Sequence, residues 1–120
     1  MKTQLVYKVV RFAKSNYYIS ARVPVDYALK YKLFITTTAV QGYICTFDTL
    51  EHAKEFKYNE TILCGIGYNP VKLKYLADYN SCIPIFWNRY FAKKSTKEYR
   101  FNAPKGTIGV TAFKPLEIVK

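Results

Sequence analysis

The residues best suited to chemistry fall in one stretch, Phe86 to Phe101. There Trp87, Arg89, Tyr90, Phe91, Lys93, Lys94, Lys97, Tyr99, Arg100 and Phe101 interleave rings with cations. That mixture suits a nucleotide or a base, because a flat ring stacks at about 1–3 kcal/mol per base while cations meet the phosphates. Arg11 and Arg22, on the polar sides of an N-terminal hairpin, can extend such a surface, since a guanidinium takes a phosphate through two bonds. The ligand-binding candidates are therefore Arg11, Arg22, Trp87, Arg89, Lys93, Lys94 and Arg100, with the cations on phosphates or carboxylates and Trp87 stacking. A structural reading competes for the same residues. Phe86, Trp87, Tyr90 and Phe91 can be the buried side of a helix, with Lys93, Lys94 and Lys97 its solvated end. An acidic protein partner would also use these residue types, because Trp, Tyr and Arg dominate interface hot spots.

Catalytic and metal constellations are sparse. The single histidine, His52, paired with Cys45 or Cys64, would make a small hydrolase or transferase; a surface histidine on a helix is the plainer reading. Glu51 and Glu55 stand four apart but lack the companion histidines of a carboxylate-bridged metal site. Gly65-Ile66-Gly67 is a glycine pair without the rest of a phosphate loop, and no G-x-S-x-G, H-E-x-x-H or kinase signature occurs. Three cysteines, Cys45, Cys64 and Cys82, without a C-x-x-C spacing argue against a disulfide framework and against zinc. The expectation is no catalytic residue, no metal and no cofactor.

The charge balance favours an anionic partner. A net charge of +11 over 120 residues exceeds the magnitude of about 2–8 that solubility requires of a small domain. Such an excess draws in nucleic acids, nucleotides or acidic proteins without choosing among them. The cations concentrate in residues 1–32 and 72–120, whereas 33–71 is slightly acidic; if the two ends of the chain meet, they make one basic face. No apolar run approaches the ~18 residues of a membrane span, so the reading is a cytoplasmic protein with no membrane partner.

The elements that must position these residues follow from the patterning. The length suits a single domain over 1–120, and 18% aromatics suit strands. Leu5–Phe12 and the run from Tyr17, where Tyr17, Ile19, Ala21 and Val23 share one side, read as a β-hairpin. Strands are expected at about Tyr31–Val40, Tyr43–Phe47, Thr61–Tyr68 and Thr107–Phe113, with Gly65 and Gly67 marking close approach by another element. Asp48-Thr49-Leu50-Glu51 has a capping-box pattern with Asp48 as the cap, and Leu50, Ala53 and Phe56 fall on one face, which predicts a helix at about 49–58. Asn69-Pro70 can start a short helix, although Val71 to Tyr75 alternates like a strand; Ser81–Lys94 can form an amphipathic helix. The fold expected is α+β, a single twisted and mostly antiparallel sheet with the 49–58 helix and one or two shorter helices packed on it.

Three segments carry a resemblance: Val6-Tyr7-Lys8-Val9-Val10-Arg11, Phe47 through Phe56, and Ala103-Pro104-Lys105-Gly106-Thr107. In them the chain resembles small bacteriophage-encoded proteins, a group without an established activity. The resemblance implies a context and no site residue. That context is non-enzymatic binding in the host cytoplasm, as in blocking a host defence protein or sequestering its nucleotide signal. The alternative is a nucleic-acid-binding protein.

Overall fold

A computed structural model describes residues 1–13, 17–20, 28–57, 59–77 and 83–120. The strands are β1 (Thr3–Phe12), β2 (Tyr18–Ser20), β3 (Lys30–Tyr31), β4 (Thr37–Thr38), β5 (Ile44–Phe47), β6 (Thr61–Tyr68), β7 (Val71–Lys72), β8 (Tyr75–Ala77), β9 (Arg100–Asn102), β10 (Thr107–Val110) and β11 (Ala112–Val119). Helix α1 spans Leu50–Phe56, α2 spans Ile83–Phe91, and a 3-10 turn covers Lys97–Tyr99. The α+β architecture is as the patterning indicates: the main sheet is antiparallel throughout, in the order β4-β11-β6-β1-β5-β10-β7, with β2 on β1 and β3 on β2. β8 and β9 form a separate two-stranded ribbon.

The course of β10 and β11 explains the shape of that sheet. They were expected as one strand over Thr107–Phe113, yet β10 pairs with β5 while β11 pairs with β6, on opposite sides of β1. Only Thr111 separates them. Its N–H donates to Tyr68 O at 2.9 Å, and Asn69 Nδ2 donates to its hydroxyl, which holds the bend. For one continuous run to serve both sides, the sheet must curl. The curl encloses Val6, Val10, Tyr31, Ile44, Leu63, Ile108, Val110 and Phe113. Gly65 permits the tight wrap: a Cβ there would lie 2.1 Å from Lys114 O, so the close approach expected of this glycine is a backbone contact with β11.

The outer face carries the helices. Val9, Phe47, Ala53 and Ile62 pack under α1, and Leu73, Phe86 and Trp87 make a second cluster under α2. Helix α1 begins one residue later than the capping pattern suggests. Thr49 is the N-cap, its hydroxyl accepting His52 N–H, because the Asp48 carboxylate is engaged by His52 Nδ1 at 2.6 Å. The helix stops at Phe56, with Lys57 as C-cap.

Two other expectations give way to tertiary contacts. The run Tyr31–Val40 breaks at a Lys32–Ile35 turn, where Phe34 adopts φ +67°, so that β3 reaches β2 while β4 reaches β11. Asn69, at φ +52°, starts no helix; it turns the chain into β7, which adds to the β10 edge of the sheet. Arg22 lies outside the described residues.

Lys8 alternates with Val6 and Val10 on β1 and therefore faces the enclosed core. Its buried ammonium donates to Cys45 O at 2.8 Å. Burial holds its pKa below the ordinary lysine value, since a charge in low dielectric lacks the solvation it has in water.

Candidate anion-binding cleft at the end of helix α2

Trp87 is a core residue, and this corrects the stacking role expected of it. Only 6% of its surface is exposed. Its ring meets Tyr43, Phe86, Tyr90 and Phe91 at centroid distances of 4.9 to 6.0 Å, and Gly42 closes over it. Gly42 sits at φ +63°, and a Cβ there would lie 2.2 Å from the indole. The amphipathic run was legible; the face that the sheet would cover was not. With Phe86 and Trp87 turned onto Leu73 and β5, the opposite side of α2 presents Asn88 and, half-buried, Arg89.

The helix ends in a way that gathers the cations. Lys93 takes a left-handed conformation, φ +58°, with its N–H donating to Tyr90 O and the Lys94 N–H donating to Arg89 O at 2.9 Å. This is a Schellman turn with lysine where glycine is usual. It reverses the chain so that Ser95–Arg100 folds back along α2. Arg89 Nε donates to Ser95 O, and its guanidinium lies 5.9 Å from the Tyr99 ring. Arg100 lies flat on Tyr75 at 3.7 Å and donates from Nη1 to Thr96 Oγ1, which ties the β8–β9 ribbon to the turn. Arg89, Ser95, Lys97, Glu98 and Tyr99 line a cleft of about 250 Å³. Among the described residues no carboxylate pairs with Arg89, Lys93, Lys94, Lys97 or Arg100.

Of the residues expected to bind, the structure therefore brings Arg89, Lys93, Lys94 and Arg100 onto one arm. Arg89 lines the cleft; Lys93 and Lys94 are exposed on the turn, where they also complement the carbonyl end of α2. Arg11 is elsewhere, on β1 across from Ile19 of β2. Ser95 and Glu98 escaped the sequence reading; only the cleft itself reveals them. Tyr99 and Lys97 carried the signal of the ring-and-cation stretch.

The cysteine–histidine pairing finds no geometry here. His52 is held by Asp48, and Cys64 stands opposite Tyr7 in the β1–β6 ladder. Burial pushes the Cys45 thiol up, and burial together with the charge of Glu117 does the same to Cys64, the opposite of what a nucleophilic thiol needs. Cys82 lies outside the described residues. No group of three or more metal-ligating side chains occurs among the described residues, and no helix among them is long and apolar enough to cross a membrane. Compared with protein-family models, curated proteins and solved structures, the chain matches none.

Proposed function

We propose that the chain is a non-catalytic binding protein whose partner is a small phosphorylated ligand of nucleotide type, held in the cleft at the end of α2. One observation carries the reading: Arg89 and Lys97 converge with the Tyr99 ring on a cleft of about 250 Å³ in which the one acid is Glu98. Guanidinium and ammonium groups without carboxylate partners meet phosphate without first having to break an ion pair. The Tyr99 ring offers a face to a base, Ser95 a hydroxyl to a phosphate oxygen, and Glu98 an acceptor for ribose hydroxyls or an exocyclic amine. Arg100, stacked on Tyr75 and bonded to Thr96, holds the wall in place before a ligand arrives. The resemblance to phage-encoded proteins supports a role in which such binding withdraws a host defence signal.

The test is calorimetry and thermal melting with mono-, di- and cyclic nucleotides at about 200 mM salt, where loose charge attraction is largely lost. A specific ligand raises the melting temperature by mass action. That shift disappears in Lys97→Ala and Arg89→Ala. If no nucleotide shifts the melting temperature, and native mass spectrometry of the purified protein shows no phosphorylated small molecule, the reading fails.

A further inference from the structure

The cleft leaves a second group of cations unexplained, on the outer side of β1, β2 and β3. Register places Arg11 opposite Ile19, and Ile19 opposite Lys30, so the three side chains share one face. Lys32, two residues beyond Lys30, opens the Lys32–Ile35 turn. Lys30 Nζ sits 5.1 Å from the Tyr17 ring centroid. Tyr17, Lys30, Lys32, Ile35 and Thr37 line a cleft of about 320 Å³.

The turn beside this cleft is built in an unusual way. Ile35 N–H donates to Lys32 O, closing a tight turn, and Phe34 occupies the left-handed region at φ +67°. A bulky non-glycine residue is rarely found there. Its N–H nevertheless donates to Pro115 O at 2.7 Å, so the strained conformation is anchored to β11. The result is a phenylalanine ring 66% exposed, next to Ile35 at 56%. Folding gains nothing from the exposed ring, and the backbone strain opposes folding. Strain held at an exposed position points to a partner.

We infer that the β2–β3 face with the Lys32–Ile35 turn is a binding surface for single-stranded nucleic acid. Single-strand recognition without sequence choice needs two things, a cationic track for the backbone and rings for the bases. Lys30 on β3 and Lys32 at the start of the turn both line the cleft and offer cations to successive phosphates of an extended chain. Tyr17 and Phe34 supply the rings. This surface shares no lining residue with the α2 cleft, so the two readings succeed or fail separately.

The experiment is fluorescence anisotropy of a labelled oligo-dT of roughly 15 nucleotides, titrated from about 50 to 200 mM salt. Phe34→Gly removes the ring and suits the positive φ, so the variant folds and melts higher; its affinity falls about 5- to 150-fold if one base stacks on Phe34. The double variant Lys30→Ala/Lys32→Ala flattens the log–log salt slope by about 1.4, the value for two phosphates of a single strand. Lys97→Ala leaves oligonucleotide affinity unchanged. The inference is overturned if the wild type does not bind at the lowest salt, or if Phe34→Gly and the lysine pair bind as the wild type does. Loss of binding on Lys97→Ala alone also overturns it. So does the recovery of an acidic protein partner, lost in Phe34→Gly, from a chain with no oligonucleotide affinity.

Discussion

The end of α2 and the turn between β3 and β4 are made of the same materials, rings set among cations, and treat their rings in opposite ways. At α2 the largest ring, Trp87, is turned inward and closed over by Gly42, leaving Arg89 and Lys97 to define the outer surface. At the β3–β4 turn the ring of Phe34 is held outward by a strained backbone, while Lys30 and Lys32 line the cleft next to that turn. Residue types in proximity therefore do not specify a role. A ring that stabilises the fold and a ring available to a partner differ in which surface covers them, and that is settled by strands distant in sequence.

Substitutions can break this contrast or sharpen it. The largest effect is expected of Trp87→Ala, which empties the cluster under α2 and costs about 3–5 kcal/mol in denaturant unfolding. Phe34→Ala, by contrast, should move stability by less than about 0.5 kcal/mol, as an exposed side chain does. Comparable losses from the two would erase the distinction. Gly42→Ala comes next: a left-handed backbone and a Cβ pressed against the indole cost about 2 kcal/mol or more, read as a lower denaturant midpoint. Wild-type stability in that variant would mean that Trp87 is not closed over.

Lys8 tests the same contrast with a cation in place of a ring, since it is enclosed while Lys30 and Lys32 stand exposed. Its folded pKa lies below its unfolded value, so the unfolded state binds more protons between the two. Burial of this charge therefore opposes folding fully below the folded pKa, and the penalty fades as pH rises toward the unfolded value near 10.4. Lys8→Met should melt higher than the wild type at pH 7, and the advantage should shrink on the way to pH 10. An advantage that is constant with pH would show that the fold does not lower the Lys8 pKa. A small effect of opposite sign to that of Trp87→Ala and Gly42→Ala is expected of Lys93→Gly. Glycine at the left-handed position of the α2 Schellman turn should stabilise by about 0.5–1 kcal/mol, seen as a slightly raised melting temperature with ligand affinity retained at Arg89.

Much of the scaffold was legible from local pattern. The alternation of β1 and β6, the apolar face of α1 and the steric demand at Gly65 each depend on residues a few positions apart, and each appears where the pattern puts it. Even the misplaced cap erred by one residue, because Asp48 and Thr49 can both cap and only the engagement of His52 decides between them. The site was less legible. Ring-and-cation interleaving marked the α2 arm, but nothing local indicated that Lys93 would close a Schellman turn and carry Ser95 and Glu98 back against Arg89. Nothing local distinguishes Lys30 and Lys32, because what sets them apart is a cleft shared with Tyr17, which the β2–β3 pairing brings near.

By itself, then, the sequence determined the α+β class, the positive charge and the periodicity of its principal strands and helices, all properties of short windows of chain. Tertiary structure decided which side of α2 faced inward, that one run would bend at Thr111 to serve both sides of the sheet, and that Arg11 would stand with Lys30 while Arg89 stood with Lys97. The physical reason is that periodicity reports only that a face is apolar. What covers that face, and so what remains outside to meet a partner, depends on pairings between residues tens of positions apart.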